Sequence, residues 1–178
     1  MAIFNAEPKR IPRSQNPLLV IGLGGTGTDA LLNIMSKFKQ RFELPVVNGK
    51  VQDTPLRTAY LAIDTDDIHL RYAQKDGIRF QPENRFLLTT TDLWGKVNNA
   101  CVREWLDERI NIFHEGNCAC AIRQVGRLLL FECADALVNQ LKNVIASLLE
   151  ANGIQVSKTL DIVVTAGISG GTGSGTFL

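Results

Sequence analysis

What the sequence has little of narrows it first. Only four of its 178 residues are cysteines (Cys101, Cys118, Cys120, Cys133), too few at this length for a disulfide scaffold and in keeping with a reduced cytosol. Charge of one sign is lacking too. Nineteen Lys plus Arg against eighteen Asp plus Glu leave a formal net charge of +1, so no bulk field attracts polyanions and nucleic acid is disfavoured as a partner. No apolar run approaches the ~20 residues that a membrane span requires. The opening stretch, MAIFNAEPKRIPRSQN, contains no apolar segment of the kind a secretory signal carries. What remains is 45% hydrophobic and 21% charged, an ordinary globular composition. Together these features lead to the expectation of a soluble, cytoplasmic chain with one domain and its own core.

Along the chain, residues 1–16 form a basic, aperiodic arm, and the domain proper runs from 17 to 178. Leu18-Leu19-Val20-Ile21 is an unbroken apolar run ending at Gly22, the pattern of a central parallel strand buried on both faces. Helical spacing follows from Thr28 to about Arg41. The polar stretch from Glu43 to Pro55 reads as a loop, and Thr58–Ile63 as a second strand ended by Asp64-Thr65-Asp66-Asp67. Between His69 and Thr91 no period dominates, and no element is assigned. The spacing of Leu93, Trp94, Val97, Cys101, Trp105 and Ile110 predicts a helix over 92–113, with the two tryptophans in core or interface packing. Ile122–Ala151 is the longest helical pattern, with Asn152-Gly153 as its stop. Leu160–Ala166 reads as another buried strand. Strands alternating with helices define an α/β fold with a parallel sheet.

Two glycine loops stand at strand ends. Gly22-Leu23-Gly24-Gly25-Thr26-Gly27 fits G-x-G-x-x-G with a strand before it and a helix after it, a context in which unpaired main-chain N–H groups suit phosphate. Ser169-Gly170-Gly171-Thr172-Gly173-Ser174-Gly175 follows a second strand and opens a helix expected near Thr176. Both loops would lie on one carboxyl edge of one sheet, cradling a ligand from two sides. Neither is a Walker-type loop, because Thr28-Asp29 and Thr176-Phe177 stand where that motif has Lys and Ser or Thr. The negative charge of a ligand must therefore be met by main-chain amides, helix termini and a metal ion.

The segment Ser169–Gly175 resembles the signature loop of the tubulin/FtsZ superfamily, and other segments fall in that family's order. Gly22–Asp29 looks like its first phosphate loop, with Asp29 where bacterial members place Asn. Ala62–Asp66 looks like the end of the second strand and its acidic loop. Ala119-Cys120-Ala121 and the residues up to Arg127 are similar to the third loop and its helix, with Cys118 and Cys120 where the family shows Gly. The resemblance implies a Rossmann-like parallel sheet flanked by helices, the N-terminal part of a GTPase domain. It also implies GTP or GDP with Mg²⁺ as ligands and self-association into filaments, with hydrolysis completed by an acidic loop from a second subunit. The chain is read as a fragment of a longer protein.

In that reading the N–H groups of Gly24, Gly25, Thr26 and Gly27 hold the α- and β-phosphates, and those of Gly170, Gly171, Thr172 and Gly173 the β- and γ-phosphates. The hydroxyls of Thr172 and Ser174 add hydrogen bonds. Asp64 and Asp66 orient Mg²⁺, a cation that takes few carboxylates, or else they merely form a solvated turn. Arg123 and Arg127 face phosphate or pair on the helix surface. Three alternatives stand beside it. A dinucleotide-binding oxidoreductase would use Asp64 on a ribose, although Asp64 follows Gly27 by 37 residues where about 20 is usual. A scaffold that has lost turnover is the second. The third is a zinc site on His114, Cys118 and Cys120, which lacks a fourth ligand of paired spacing.

Overall fold

A computed structural model describes residues 16–52, 58–110, 119–150 and 159–177. Most of the N-terminal arm, His114, Gly116, Asn117, Cys118 and the Asn152-Gly153 stop lie outside the described residues. The central element is β1 (Leu18–Leu23), followed by α1 (Gly24–Phe42) and then β4 (Thr58–Asp64). Between α1 and β4 lie two short strands, β2 (Val46–Val47) and β3 (Lys50–Val51), paired as an antiparallel hairpin inside the stretch expected to be loop.

The unassigned stretch after β4 holds α2 (Asp67–Tyr72), the hairpin strands β5 (Gln74–Lys75) and β6 (Ile78–Arg79), a 3-10 turn at Pro82–Asn84 and β7 (Arg85–Leu87). The single helix expected over 92–113 is instead two short ones, α3 (Leu93–Val97) and α4 (Ala100–Arg103). The Asn98-Asn99 pair separates them, with the Asn99 side chain accepting the Cys101 N–H as a new cap. Then come the long α5 (Arg123–Glu150), β8 (Asp161–Ala166) and α6 (Gly171–Phe177).

The main sheet has the order β7-β4-β1-β8, and every pair is parallel. Its register is level at one end: Leu23 lies opposite Ile63 and Ala166, and Asp64 opposite Leu87. The carboxyl ends of all four strands therefore share one edge. Alternation along β1 and β4 separates the two faces. Leu19, Ile21, Leu23, Leu61 and Ile63 pack with Val125, Leu128, Leu129, Leu137 and Val144 of α5, and with Leu93 and Val102. Val20, Tyr60 and Ala62 pack with Leu31, Leu32 and Met35 of α1, and with Leu70, Ile78 and Phe80. The result is a three-layer α/β fold, the Rossmann-like class expected from the sequence.

Three further elements depart from their expected form. Both glycine loops are largely helix: α1 starts at Gly24 and α6 at Gly171, four and five residues earlier than the side-chain pattern indicates. Strand β8, expected to be buried on both faces, is an edge strand among the described residues, with Ile162 54%, Val163 43% and Val164 42% exposed. Its amino-acid type is that of an interior strand, because β-branched apolar residues fit a pleated surface whether or not a neighbour covers it.

Candidate functional site

The first glycine loop is shaped by the second. Gly24 has φ +69°, and a Cβ there would lie 2.6 Å from the main-chain nitrogen of Gly173. A Cβ on Gly173 would in turn meet the carbonyl oxygens of Leu23 and Gly167, each at 2.8 Å. The two loops are thus in main-chain contact at the ends of β1 and β8, a packing open only to residues without a side chain. The Thr165 hydroxyl in β8 reaches the carbonyls of Ile21 (3.2 Å) and Gly27 (3.0 Å), which locks the loop to the neighbouring strand.

Helix α1 begins without the usual terminal partners. Leu23 at its N-cap makes no side-chain capping bond, and its first turn contains no acid. The first N–H groups of a 19-residue helix are therefore directed at the strand edge with the positive end of its dipole behind them. Main-chain donors in this setting bind phosphate or another anion.

The acidic turn forms the next wall. Asp64 is 3% exposed, and its Oδ1 accepts the Thr65 N–H at 2.7 Å. Burial raises the Asp64 carboxyl above the ordinary aspartate range, opposed by hydrogen bonds from the Thr65 main chain and the Thr172 hydroxyl, by the charge of His69 and by the Asp66 main chain. Asp66 has a different position: it is exposed, and its Oδ1 caps α2 by accepting the His69 N–H at 3.0 Å. Asp29, in the second turn of α1, carries an exposed carboxylate 3.1 Å from His69 Nε2.

Thr65 and His69, which sequence reasoning did not assign to the site, join its parts. Thr65 is 2% exposed, and its hydroxyl lies 2.8 Å from that of Thr172 while accepting the Ala119 N–H at 3.1 Å. One side chain therefore connects the acidic turn, the third loop and the second glycine loop. The partners stand 54 and 107 residues away in sequence, so no local pattern announces them.

In the third loop Cys120 (φ +44°) and Ala121 (φ +63°) both occupy the left-handed region. That conformation is natural to glycine, the residue the resemblance places at position 120, and here Cys120 adopts it. A Cβ on Gly171 would meet the Ala119 carbonyl at 2.8 Å and Ala121 at 2.9 Å, so the third loop rests directly on the second glycine loop.

Of the residues singled out from the sequence, Gly22, Gly24, Gly25, Thr26, Gly27, Asp29, Asp64, Asp66, Ala119, Cys120, Ala121 and Ser169–Ser174 all lie at this one edge. The Ser174 hydroxyl is engaged within the loop, donating back to the Gly170 carbonyl. Arg127 stacks over the Trp105 ring, 4.6 Å from its centre, which is a packing role. Trp105 joins the α5-side core, whereas Trp94 is 52% exposed. The zinc alternative depends on His114 and Cys118, outside the described residues, and Cys120 is exposed. Among the described residues no three His, Cys, Asp or Glu side chains form a metal-binding group. Nor is any described helix long and apolar enough to cross a membrane.

A level-edged parallel sheet with two apposed glycine loops and an acidic turn at its carboxyl edge defines a Rossmann-like domain. The sequence profile of a family described as tubulin-like matches residues 19–178, and the chain belongs to that family. No curated protein and no solved structure gives a significant match.

Proposed function

We propose that this chain forms the phosphate-holding part of a GTP-binding tubulin-like protein that self-associates with nucleotide between its subunits and hydrolyses GTP on assembly. The observation that carries this reading is the contact of Gly24 with Gly173 at the head of an uncapped α1. It forms a continuous main-chain cradle with no lysine in either loop. The N–H groups of Gly24–Gly27 would take the α- and β-phosphates, and those of Gly170–Gly173 the β- and γ-phosphates. Membership of the tubulin-like family supports guanine as the base.

The residues present fit Mg²⁺. Asp64 is a hard oxygen donor in a buried turn, and a cation that keeps several waters and takes phosphate oxygens needs no larger carboxylate set. Asp64 would be its protein partner, with Asp66 contributing through the oxygen that does not cap α2. When bound, the ion supplies charge neutralisation of the phosphates. Thr172 and Thr65 keep the acidic turn and the second loop at hydrogen-bond distance, which orients the carboxylate towards that position.

Self-association is supported by apolar exposure at the same edge. Ile168, in the loop after β8, is 81% exposed, and Ile68, on α2 beside the acidic turn, is 72% exposed. Large apolar side chains rimming a polar cradle suit burial against a second subunit that closes over nucleotide. Light scattering and phosphate release by the full-length protein test this. GTP is expected to raise scattering and release phosphate, and GDP to do neither. Equal scattering with both nucleotides and no phosphate release would contradict assembly-linked turnover. The dinucleotide alternative is not favoured, because Asp64 is buried and bonded to Thr65 instead of open to a ribose.

A further inference from the structure

We infer that His69 is a positioning residue of the phosphate site, holding the outward oxygen of Asp64 over the first glycine loop and tying it to α1. The inference rests on the nucleotide reading above. His69 is the third residue of α2, and the Asp66 cap fixes its main chain by accepting its N–H at 3.0 Å. Helical side chains point back towards the N-terminus, so the ring returns over the acidic turn.

There each ring nitrogen faces a carboxylate: Nδ1 lies 3.5 Å from Asp64 Oδ2, and Nε2 3.1 Å from Asp29 Oδ1. Nδ1 also stands 3.2 Å from the Thr28 hydroxyl, which reaches the Gly25 carbonyl at 2.9 Å. The imidazole therefore joins β4, α2 and the first turns of α1.

The division of labour on Asp64 makes this specific. Oδ1 accepts the Thr65 N–H, whereas Oδ2 is the oxygen that faces His69 and the first glycine loop. A Cβ built on Gly25 would meet two groups within 4 Å, Asp64 Oδ2 and His69 Cε1, each at 4.0 Å. Carboxylate and imidazole thus form the wall immediately above the first cradle. Among the described residues, His69 is the nitrogen base paired with Asp29 and Asp64. A side chain serving only to attach α2 would not need to border Gly25 or reach Oδ2.

The two ring contacts can be separated by substitution. His69→Asn keeps an amide near the Nδ1 position and hence the contact with Asp64. His69→Gln keeps one near the Nε2 position and hence the contact with Asp29. His69→Ala removes both. The measurement is the affinity of the full-length protein for mant-GTP with Mg²⁺ and with EDTA, beside thermal unfolding of each nucleotide-free variant.

His69→Ala is expected to reduce the Mg²⁺-dependent gain in affinity by about fivefold to tenfold, the net size of one ordinary hydrogen bond. His69→Asn should restore most of that gain and His69→Gln little of it. An undiminished gain in His69→Ala would overturn the assignment. So would equal losses in the Ala and Asn variants that track their unfolding midpoints, because that pattern marks a purely structural residue. Failure of the unsubstituted protein to bind mant-GTP is a separate result, which removes the nucleotide reading itself.

Discussion

Thr65 shows how much of this site depends on single side chains whose role no local pattern announces. Its hydroxyl meets that of Thr172 and accepts the Ala119 N–H, all in buried surroundings. Thr65→Val keeps the shape and removes both bonds, leaving the buried Ala119 N–H unpaired and the Thr172 hydroxyl with one partner fewer. The expected loss is roughly 1–3 kcal/mol by urea unfolding, whereas Thr65→Ser stays close to the unsubstituted protein.

Asp64 carries a prediction of opposite sign. Burial raises its carboxyl in the folded state, so protonation favours the fold. The stability tied to that proton is present below the unfolded value near 3.8 and is lost as pH rises through the folded value. Asp64→Asn keeps an acceptor for the Thr65 N–H and removes the buried charge. The nucleotide-free variant should therefore unfold at a higher temperature at pH 7, and the advantage should vanish as the pH falls to 3.8 and below. A lower midpoint at pH 7 would show that the ionised carboxylate stabilises the turn.

At the scale of elements, most strands and long helices were legible where a period or an apolar run extended over several residues; the period over 92–113 is the exception, because Asn98-Asn99 divides it into α3 and α4. β1, β4, α1 and α5 fall where their side chains place them. β7 was not legible, because three residues carry no period; its place follows from the parallel register of Asp64 with Leu87. The early start of α1 was hidden for a related reason. Glycines contribute nothing to an apolar pattern, yet Gly24 and Gly25 are its first two residues. The helix there is imposed by contact with the other loop.

Gly24→Ala tests that contact. The new methyl group would enter the 2.6 Å approach to Gly173 at φ +69°, where L side chains are strained. The expected cost is roughly 1–3 kcal/mol by thermal or urea unfolding, with anion binding weakened further than stability alone explains. The same change at Gly77, also at positive φ but with nothing within 4 Å, carries only the backbone strain and is the control.

For the whole molecule, the chain path explains why the site lies where it does. From β1 the chain crosses through α1 to β4 on one side. It later returns through α5 to β8 on the other side of β1. Right-handed crossovers in opposite directions cover opposite faces, and the connections diverge above the carboxyl ends of β1 and β8. That crevice receives both glycine loops. The sequence signalled each loop separately and their common edge through the strand–helix alternation. The direct contact between them, the Thr65 junction and the His69 bridge required the register, because their partners are far apart along the chain.

The account stands most directly on whether this crevice holds a triphosphate nucleotide. Equilibrium titration of the full-length protein with mant-GTP in Mg²⁺, with NADH in parallel and Gly24→Ala as the comparison, measures it. The account predicts saturable binding of mant-GTP that unlabelled GTP displaces, no response to NADH, and marked weakening by Gly24→Ala. Saturable NADH binding with no mant-GTP binding, or mant-GTP binding unaffected by Gly24→Ala, would contradict it.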